Sequence, residues 1–157
     1  RIQVEHTISE QVFRVDLLVE QIRAAAGEKP IEGEIRSEGH AIEVRINAEN
    51  PDKGFIPSPG QITAFHVPGG MGIRVDTHAY AGYHIPPFYD SMIAKLIAFG
   101  NDRKQAISRM RRALSEFTIE GVDTTIPLHQ KLFFDKNIVS GQYNTNYLEQ
   151  FLTENSN

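Results

Sequence analysis

The sequence predicts an α+β protein in which a long β region lies between two helical segments of a 157-residue chain. Three observations predict this class. Apolar residues recur at helical spacing from Val12 to Ala25, alternate with polar residues in HAIEVRIN at 40–47, and return to helical spacing from Ile107 to Phe117. With 40% apolar residues, the chain is long enough for one domain with a core, or for one domain and a piece of another.

Composition excludes several classes of function. A formal net charge of -4 and an isoelectric point near 5.9 give no general attraction to nucleic-acid phosphates or to anionic lipid. No stretch reaches the length of a membrane span, and no signal-peptide pattern is present. We therefore expect neither nucleic acid nor a membrane as a partner. The chain has no cysteine, which excludes disulfides and thiolate chemistry and fits a cytoplasmic localisation.

The opening segment RIQVEH is predicted to be extended. Successive side chains of a strand point to opposite faces, so Arg1, Gln3 and Glu5 would share one face. Arginine offers a planar fork to an oxyanion, and a carboxylate can accept a proton. An exposed strand edge explains the same pattern, so the residues alone leave both interpretations open.

A helix is predicted after this segment. Thr7 and Glu10 have the Thr-x-x-Glu spacing of a capping box, with Thr7 at the helix start. Helical spacing of the apolar residues continues through Val12, Val15, Leu18, Val19, Ile22 and Ala25. We expect a break within residues 13–16 and an end marked by Gly27 and Pro30.

Residues 40–99 are predicted to be β structure, after a polar, turn-rich boundary at 28–39. In HAIEVRIN, Val44 lies on the apolar face, whereas Glu43 and Arg45 lie on the polar face. Further strands are expected in QITAFHV, GIRVDTHAY and SMIAKLIAF, separated by PSPG, PGGMG and IPP. This spacing predicts an antiparallel meander or sandwich.

The rest of the chain is predicted to be helical. Asn101 or Asp102 can cap a helix whose apolar stripe consists of Ile107, Met110, Leu114 and Phe117. Shorter helices are expected in IPLHQKLFF at 126–134 and in TNYLEQFL at 145–152.

Several other features have simple structural explanations. Gly69–Gly72 lacks the spacing of a phosphate loop and is predicted to be a hairpin turn. The six histidines lack metal-site spacing, so no metal ligand is expected in this chain. Arg109, Arg111 and Arg112 are expected on a solvated helix face. Lys95, a lone charge in an apolar strand, is expected to extend its ammonium to the surface.

Six segments resemble, in order and spacing, the C-terminal third of biotin carboxylase, a member of the ATP-grasp superfamily. They are RIQVEH, GHAIEVRINAE, FIPSPGQI, PGGMGIRVD, YAGYHIPPFYDSMIAKLI and the helix through RMRRALSEFTIEGV. The resemblance implies that residues 39–157 form the mainly antiparallel α+β C-terminal domain of biotin carboxylase with its covering helices. Residues 1–38 would then be a short remnant of the ATP-grasp domain.

The resemblance also implies an activity. Biotin carboxylases use ATP, with Mg or Mn, to activate bicarbonate as carboxyphosphate, and then carboxylate biotin on its carrier protein. The family's ATP-binding groups lie before RIQVEH, so the chain is expected to be a fragment that does not turn over ATP alone. Its end at ENSN resembles that of the separate biotin carboxylase component of acetyl-CoA carboxylase, which is a ligase of fatty acid biosynthesis that works with carboxyltransferase subunits.

Individual residues receive roles from the resemblance. Glu5 matches the general base that takes the proton from bicarbonate, and Arg1 matches the arginine that holds bicarbonate. Gln3 and the backbone amide of Val4 match groups that contact bicarbonate or biotin. Arg45 matches the arginine that stabilises the enolate-like form of biotin, an electrostatic role.

A homodimer is also implied. Arg74 and Asp90 match interface residues of bacterial biotin carboxylases, and Met71 stands where another family member has phenylalanine. Two alternatives stay open beside the carboxylase: another ATP-grasp ligase, of carbamoyl-phosphate or purine synthesis, and a non-catalytic module for dimerisation or assembly.

Overall fold

A computed structural model of the chain describes residues 1–29, 31 and 33–155. The α-helices of this part are α1 (His6–Phe13), α2 (Leu17–Ala25), α3 (Arg103–Glu116), α4 (Ile126–Leu132), α5 (Lys136–Ser140) and α6 (Tyr147–Glu154). Its strands are β1 (His40–Asn47), β2 (Glu49–Asn50), β3 (Ile56–Pro57), β4 (Gly60–Gln61), β5 (Ala64–His66), β6 (Ile73–Thr77), β7 (His84–Ile85), β8 (Met92–Gly100) and β9 (Thr118–Glu120). The predicted α+β class is confirmed.

The opening segment does not form the predicted strand. Residues 1–3 have no regular structure, and α1 begins at His6. A strand needs a neighbouring strand for its backbone hydrogen bonds, but the carbonyl of Gln3 accepts the N–H of His6 at 3.2 Å. The side chains of Arg1, Gln3 and Glu5 are nevertheless all exposed, whereas Ile2 is partly buried. The predicted alternation of exposure therefore holds without a strand.

The predicted capping box is wrong. The residue before α1 is Glu5, and its side chain makes no capping hydrogen bond. Thr7 and Glu10 are buried instead. The hydroxyl of Thr7 donates to the carboxylate of Glu43 on β1, and the carboxylate of Glu10 accepts the N–H of Leu17 at 3.0 Å. The two side chains therefore join α1 to β1 and to the start of α2, and neither of them caps α1.

The predicted break between the first two helices is confirmed. Arg14 has a left-handed backbone with φ of 56°, and the carboxylate of Asp16 accepts the N–H of Val19 at 2.9 Å. Gly27 follows α2 with φ of 80°, as expected beyond a helix end. Pro30, the other residue predicted to stop this helix, lies outside the described residues.

The central sheet has the strand order β1-β8-β6, with antiparallel pairing throughout. Three smaller pairs, β2 with β3, β4 with β7 and β5 with β9, are also antiparallel. The predicted meander is wrong because β8, the most apolar strand, lies in the middle between β1 and β6. A strand that is apolar on both faces is most stable where both faces are covered.

One face of the sheet forms the core with α3. The core includes Val44 and Ile46 of β1 and Leu96 of β8. The predicted apolar stripe of α3 is confirmed, since Ile107, Met110, Leu114 and the adjoining Phe117 are buried. Asp102 caps α3 by accepting the N–H of Gln105 at 2.7 Å. The helices predicted at 126–134 and 145–152 are present as α4 and α6, whereas α5 and β9 were not predicted.

The turn at Gly69–Gly72 is present, but it is not a hairpin. The strand before it, β5, pairs with β9, and the strand after it, β6, pairs with β8. The two flanking strands therefore belong to different sheets, which the local glycine pattern does not reveal.

The arginines of α3 are less solvated than predicted. Arg109 donates to the carbonyl of Phe99 at 2.6 Å, and Arg111 donates to the carbonyl of Phe133 at 2.8 Å. Long side chains can reach unsatisfied carbonyls at the ends of neighbouring elements, so these two tie α3 to the sheet and to α4. Arg112 alone of the three is exposed.

None of the helices in the described part of the chain combines the length and the apolar character that a membrane crossing requires.

Candidate functional site

The candidate site lies on the second face of the central sheet, which we call the polar face. Its side chains are Glu43 and Arg45 of β1, Lys95 of β8, and Arg74 and Asp76 of β6. The register places Arg45 opposite Lys95, and Lys95 opposite Asp76. Helix α1 and the residues before it lie against this face, through the bond from Thr7 to Glu43.

Glu5 and Arg45 meet at the edge of this face. The guanidinium of Arg45 donates to the carboxylate of Glu5 at 3.3 Å. The two side chains are 53% and 52% exposed, so a small ligand can reach both. The structure thus joins the two polar segments whose contact the sequence could not establish, and it places a cation beside a potential base.

The backbone of Arg45 is held from the opposite side. Its carbonyl accepts a hydrogen bond from the hydroxyl of Thr125 at 3.2 Å and lies 2.9 Å from Nε2 of His129. A carbonyl can only accept, so Nε2 of His129 carries a proton. Burial lowers the pKa of His129, which favours the neutral ring. Neither residue was predicted, because each is about eighty positions from Arg45 and no local pattern links them.

Lys95 contradicts its predicted position. Its side chain is only 12% exposed, and its ammonium donates to the carbonyl of Val4 at 3.2 Å. The carboxylate of Asp76 lies 3.7 Å away. The ammonium does not extend into water because the segment before α1 covers it.

Arg74 is bound within the chain. It donates to Glu10 at 2.7 Å and to both carboxylate oxygens of Asp76 at 2.7 and 2.8 Å. The hydrogen bond to Asp76 raises the pKa of Arg74, with burial acting against it. Burial alone would raise the pKa of Asp76, but the hydrogen bond and charge of Arg74, with the charge of Lys95, bring this pKa below its ordinary value.

The remaining predicted site residues lie on the surface. Arg1 and Gln3 are exposed, and within the described residues their side chains make no hydrogen bond or ion pair. Met71 is 83% exposed, and the exposed Asp90 accepts the N–H of Met92 at 2.7 Å. In the same described part, no hydrogen bond joins Met71, Asp90 and Arg74. No group of three His, Cys, Asp or Glu side chains suited to a metal ion is found there either.

Comparison with known protein families shows which family has this domain. The model of the biotin carboxylase C-terminal domain matches residues 43–150, more than half of the chain. The chain belongs to the biotin carboxylase family. Most of the central sheet, α3 and Arg45 lie in the matched region, and the resemblance stated from the motifs is confirmed.

Curated relatives extend the match to residues before β1. The chain is 57% identical over 153 residues to biotin carboxylase 1 of Bacillus subtilis, covering 96% of this chain and 34% of that protein. It is 52% identical to the biotin carboxylase of Haemophilus influenzae, covering 99% of this chain and 35% of that protein. The chain therefore spans about a third of the length of these relatives.

Solved structures confirm the fold. One of them is the biotin carboxylase domain dimer of Hydrogenobacter thermophilus 2-oxoglutarate carboxylase, solved in complex with MgADP, ADP and bicarbonate. This chain superposes on it with a TM-score of 0.93 at 49% identity, and the match covers 96% of this chain and 34% of that one. The biotin carboxylase subunit of pyruvate carboxylase gives a TM-score of 0.94 at 45% identity, covering 100% and 35%.

Proposed function

We propose that this chain supplies the acid-base part of an ATP-dependent biotin carboxylase, the part that binds bicarbonate and biotin. The proposal rests on the half-exposed pair of Glu5 and Arg45, found in a chain of the biotin carboxylase family. A related domain with 49% identity has been solved with bicarbonate and MgADP.

Glu5 is the proposed general base. Its carboxylate takes the proton of bicarbonate, so that a bicarbonate oxygen can attack the terminal phosphate of ATP and form carboxyphosphate and ADP. Arg1 holds the bicarbonate anion through its planar fork, and the Gln3 side chain and the Val4 amide contact bicarbonate or biotin. The exposure of Arg1 and Gln3 is compatible with these roles.

Arg45 is the proposed electrostatic catalyst. When biotin loses the proton of its ring nitrogen, negative charge spreads onto the ureido oxygen, and a fixed cation lowers the energy of that state. The carbonyl of Arg45 is bound by Thr125 and His129, which orients the strand that presents the guanidinium. The guanidinium itself is bound by Glu5 at 3.3 Å, and a cation placed before the reaction requires little reorganisation.

ATP with Mg or Mn is proposed to bind outside these residues. The described residues offer no group of three carboxylate or histidine ligands, so no step is assigned to the metal here. We accordingly propose that the 157-residue chain does not hydrolyse ATP by itself. Purified chain with ATP, Mg and bicarbonate should release no phosphate above background.

The partners are proposed from the family. Biotin enters on its carrier protein, and a carboxyltransferase subunit of a cytoplasmic acetyl-CoA carboxylase consumes the carboxybiotin. A homodimer is proposed through Met71, Arg74 and Asp90 because these positions match interface residues of bacterial biotin carboxylases, and Met71 is 83% exposed. Sedimentation of the full-length enzyme tests this contact, because Met71→Asp should shift the dimer toward monomer.

The test of the main proposal is Glu5→Gln in the full-length enzyme. Removing the base should lower incorporation of labelled bicarbonate into biotin by about 100-fold or more. Glu149→Gln, at an exposed position on α6, is the matched control and should retain wild-type activity. Wild-type activity in Glu5→Gln would exclude Glu5 as the base.

A further inference from the structure

Lys95 has an unusual environment for a lysine. It lies in the middle strand of the sheet, and its ammonium is turned under the residues that precede α1, with 12% of the side chain exposed. Removing an ammonium from water is unfavourable unless good partners replace the water. The identity of those partners therefore indicates what the residue does.

Its nearest carboxylate interacts with Lys95 through charge alone. The ammonium of Lys95 lies 3.7 Å from Asp76, beyond hydrogen-bond distance. Arg74 already binds both oxygens of Asp76, so that carboxylate is paired without Lys95. Within the described residues, the hydrogen bond that Lys95 donates goes to the carbonyl of Val4 at 3.2 Å.

Within the described residues, two hydrogen bonds join the central sheet to the segment before α1, and the bond from Lys95 is one of them. The other joins Arg45 to the carboxylate of Glu5. Arg45 and Lys95 stand directly opposite each other on β1 and β8. Two adjacent strands thus bind two adjacent residues, the backbone of Val4 and the side chain of Glu5.

We propose that Lys95 is a positioning residue for the reaction, which fixes the Val4 carbonyl so that the next residue, Glu5, presents its carboxylate to bicarbonate beside Arg45. The inference rests on the proposed function and adds a residue to it. Lys95 acts through the backbone and does not touch the reacting atoms. A misplacement of about 1 Å can reduce a rate by about 100-fold, so loss of this hydrogen bond affects the base itself.

Lys95→Met in the full-length enzyme tests the proposal. Methionine keeps most of the apolar stem but cannot bind the Val4 carbonyl. The kcat/KM for bicarbonate should fall by about 10- to 100-fold. The KM for ATP should stay at the wild-type value. Lys104→Met, at an exposed position of α3, is the matched control and should change none of these quantities.

The conservative variant separates positioning from packing. Lys95→Arg keeps a cation and N–H donors, so it should recover most of the bicarbonate kcat/KM that Lys95→Met loses. If Lys95→Met does not fold, Lys95→Gln is measured instead, because its shorter amide cannot reach Val4, and the same selective loss is expected. Equal losses for bicarbonate and ATP would indicate a merely structural role and overturn the inference.

Different results would contradict the role of Lys95 and the proposed function of the chain. If Lys95→Met behaves like Lys104→Met while Glu5→Gln is inactive, Lys95 is not a positioning residue and the proposed function stands. If Glu5→Gln retains wild-type activity, the proposed function itself is wrong.

Discussion

Arg45 is held through its backbone, because its carbonyl accepts hydrogen bonds from the side of the strand opposite the candidate site. His129 donates to it from Nε2, and burial keeps the histidine neutral by lowering its pKa. Because the folded chain favours the neutral imidazole, protons bind preferentially to the unfolded chain as pH falls. The stability of the fold that holds the Arg45 carbonyl should therefore depend on pH.

We predict that this histidine makes the chain less stable in mild acid. Because the folded pKa of His129 lies below the ordinary value of 6.5, the unfolded state binds the proton first as pH falls. Stability is therefore unaffected by this group above pH 6.5 and decreases below it. In His129→Gln, which keeps an N–H donor but does not titrate, the loss of unfolding free energy between pH 7 and pH 5 should be smaller than in wild type.

Denaturant unfolding at several pH values measures this effect. His84→Gln, at an exposed position of β7, is the matched control and should leave the pH dependence unchanged. Identical pH profiles for wild type and His129→Gln would contradict the prediction.

Single residues also mark the limit of sequence-based prediction. The alternation in RIQVEH correctly predicted that Arg1, Gln3 and Glu5 are exposed, since exposure follows local polarity. The position of Lys95 was predicted wrongly because its partner, Val4, is 91 residues away. A lone charge in an apolar strand extends to the surface unless another segment covers it, and the local sequence does not indicate such a cover.

At the scale of elements, the long periodic segments were predicted, whereas the shortest elements and the strand pairings were not. β1 and α3 have clear apolar periodicity over many residues, so each was found close to its observed position. α5 and β9 are too short for periodicity to identify, since they contain five and three residues. The sheet order depends on contacts between distant strands, which a local pattern cannot determine.

The turn before β6 provides a prediction at this scale. Gly72 has φ of 76°, and a Cβ there would lie 2.5 Å from the carbonyl oxygen of Phe99. Gly54 has φ of 68° but open space around it. Both Gly→Ala substitutions incur the left-handed cost of about 1–2 kcal/mol, but only Gly72→Ala must also displace backbone of β8. Gly72→Ala should therefore lower the melting temperature clearly more than Gly54→Ala.

Thermal unfolding of the two variants checks this prediction. Equal melting temperatures would show that the turn can move away from β8 without cost, and would contradict the close packing of Gly72 on Phe99.

At the scale of the whole molecule, the central sheet has the apolar core on one face and the candidate site on the other. One face packs on α3 and forms the core, and the polar face receives α1 and the segment with Glu5. Arg74 joins the two parts, because it binds Glu10 of α1 from β6. The proposed division into residues 1–38 and 39–157 therefore falls across an ion pair whose carboxylate is buried.

We predict that this ion pair holds α1 on the sheet. Glu10 is 7% exposed, so Arg74→Met leaves a buried carboxylate without its cation. Breaking a fully buried pair costs about 3–5 kcal/mol of unfolding free energy, and because Arg74 is 30% exposed we expect a cost near the lower end, about 3 kcal/mol. Arg36→Met, which breaks an exposed pair with Glu34, should cost about 0–1 kcal/mol. Denaturant unfolding measures both, and equal costs would contradict the prediction.

The central claim is that these residues supply the bicarbonate and biotin part of a biotin carboxylase. A chimera tests it most directly, with this chain replacing the matching third of biotin carboxylase 1 from Bacillus subtilis, to which it is 57% identical. The measurement is incorporation of labelled bicarbonate into biotin with ATP present. We predict an active chimera that loses this activity on Arg45→Ala. A folded chimera that binds ATP but does not carboxylate biotin, or one that is unaffected by Arg45→Ala, would contradict the claim.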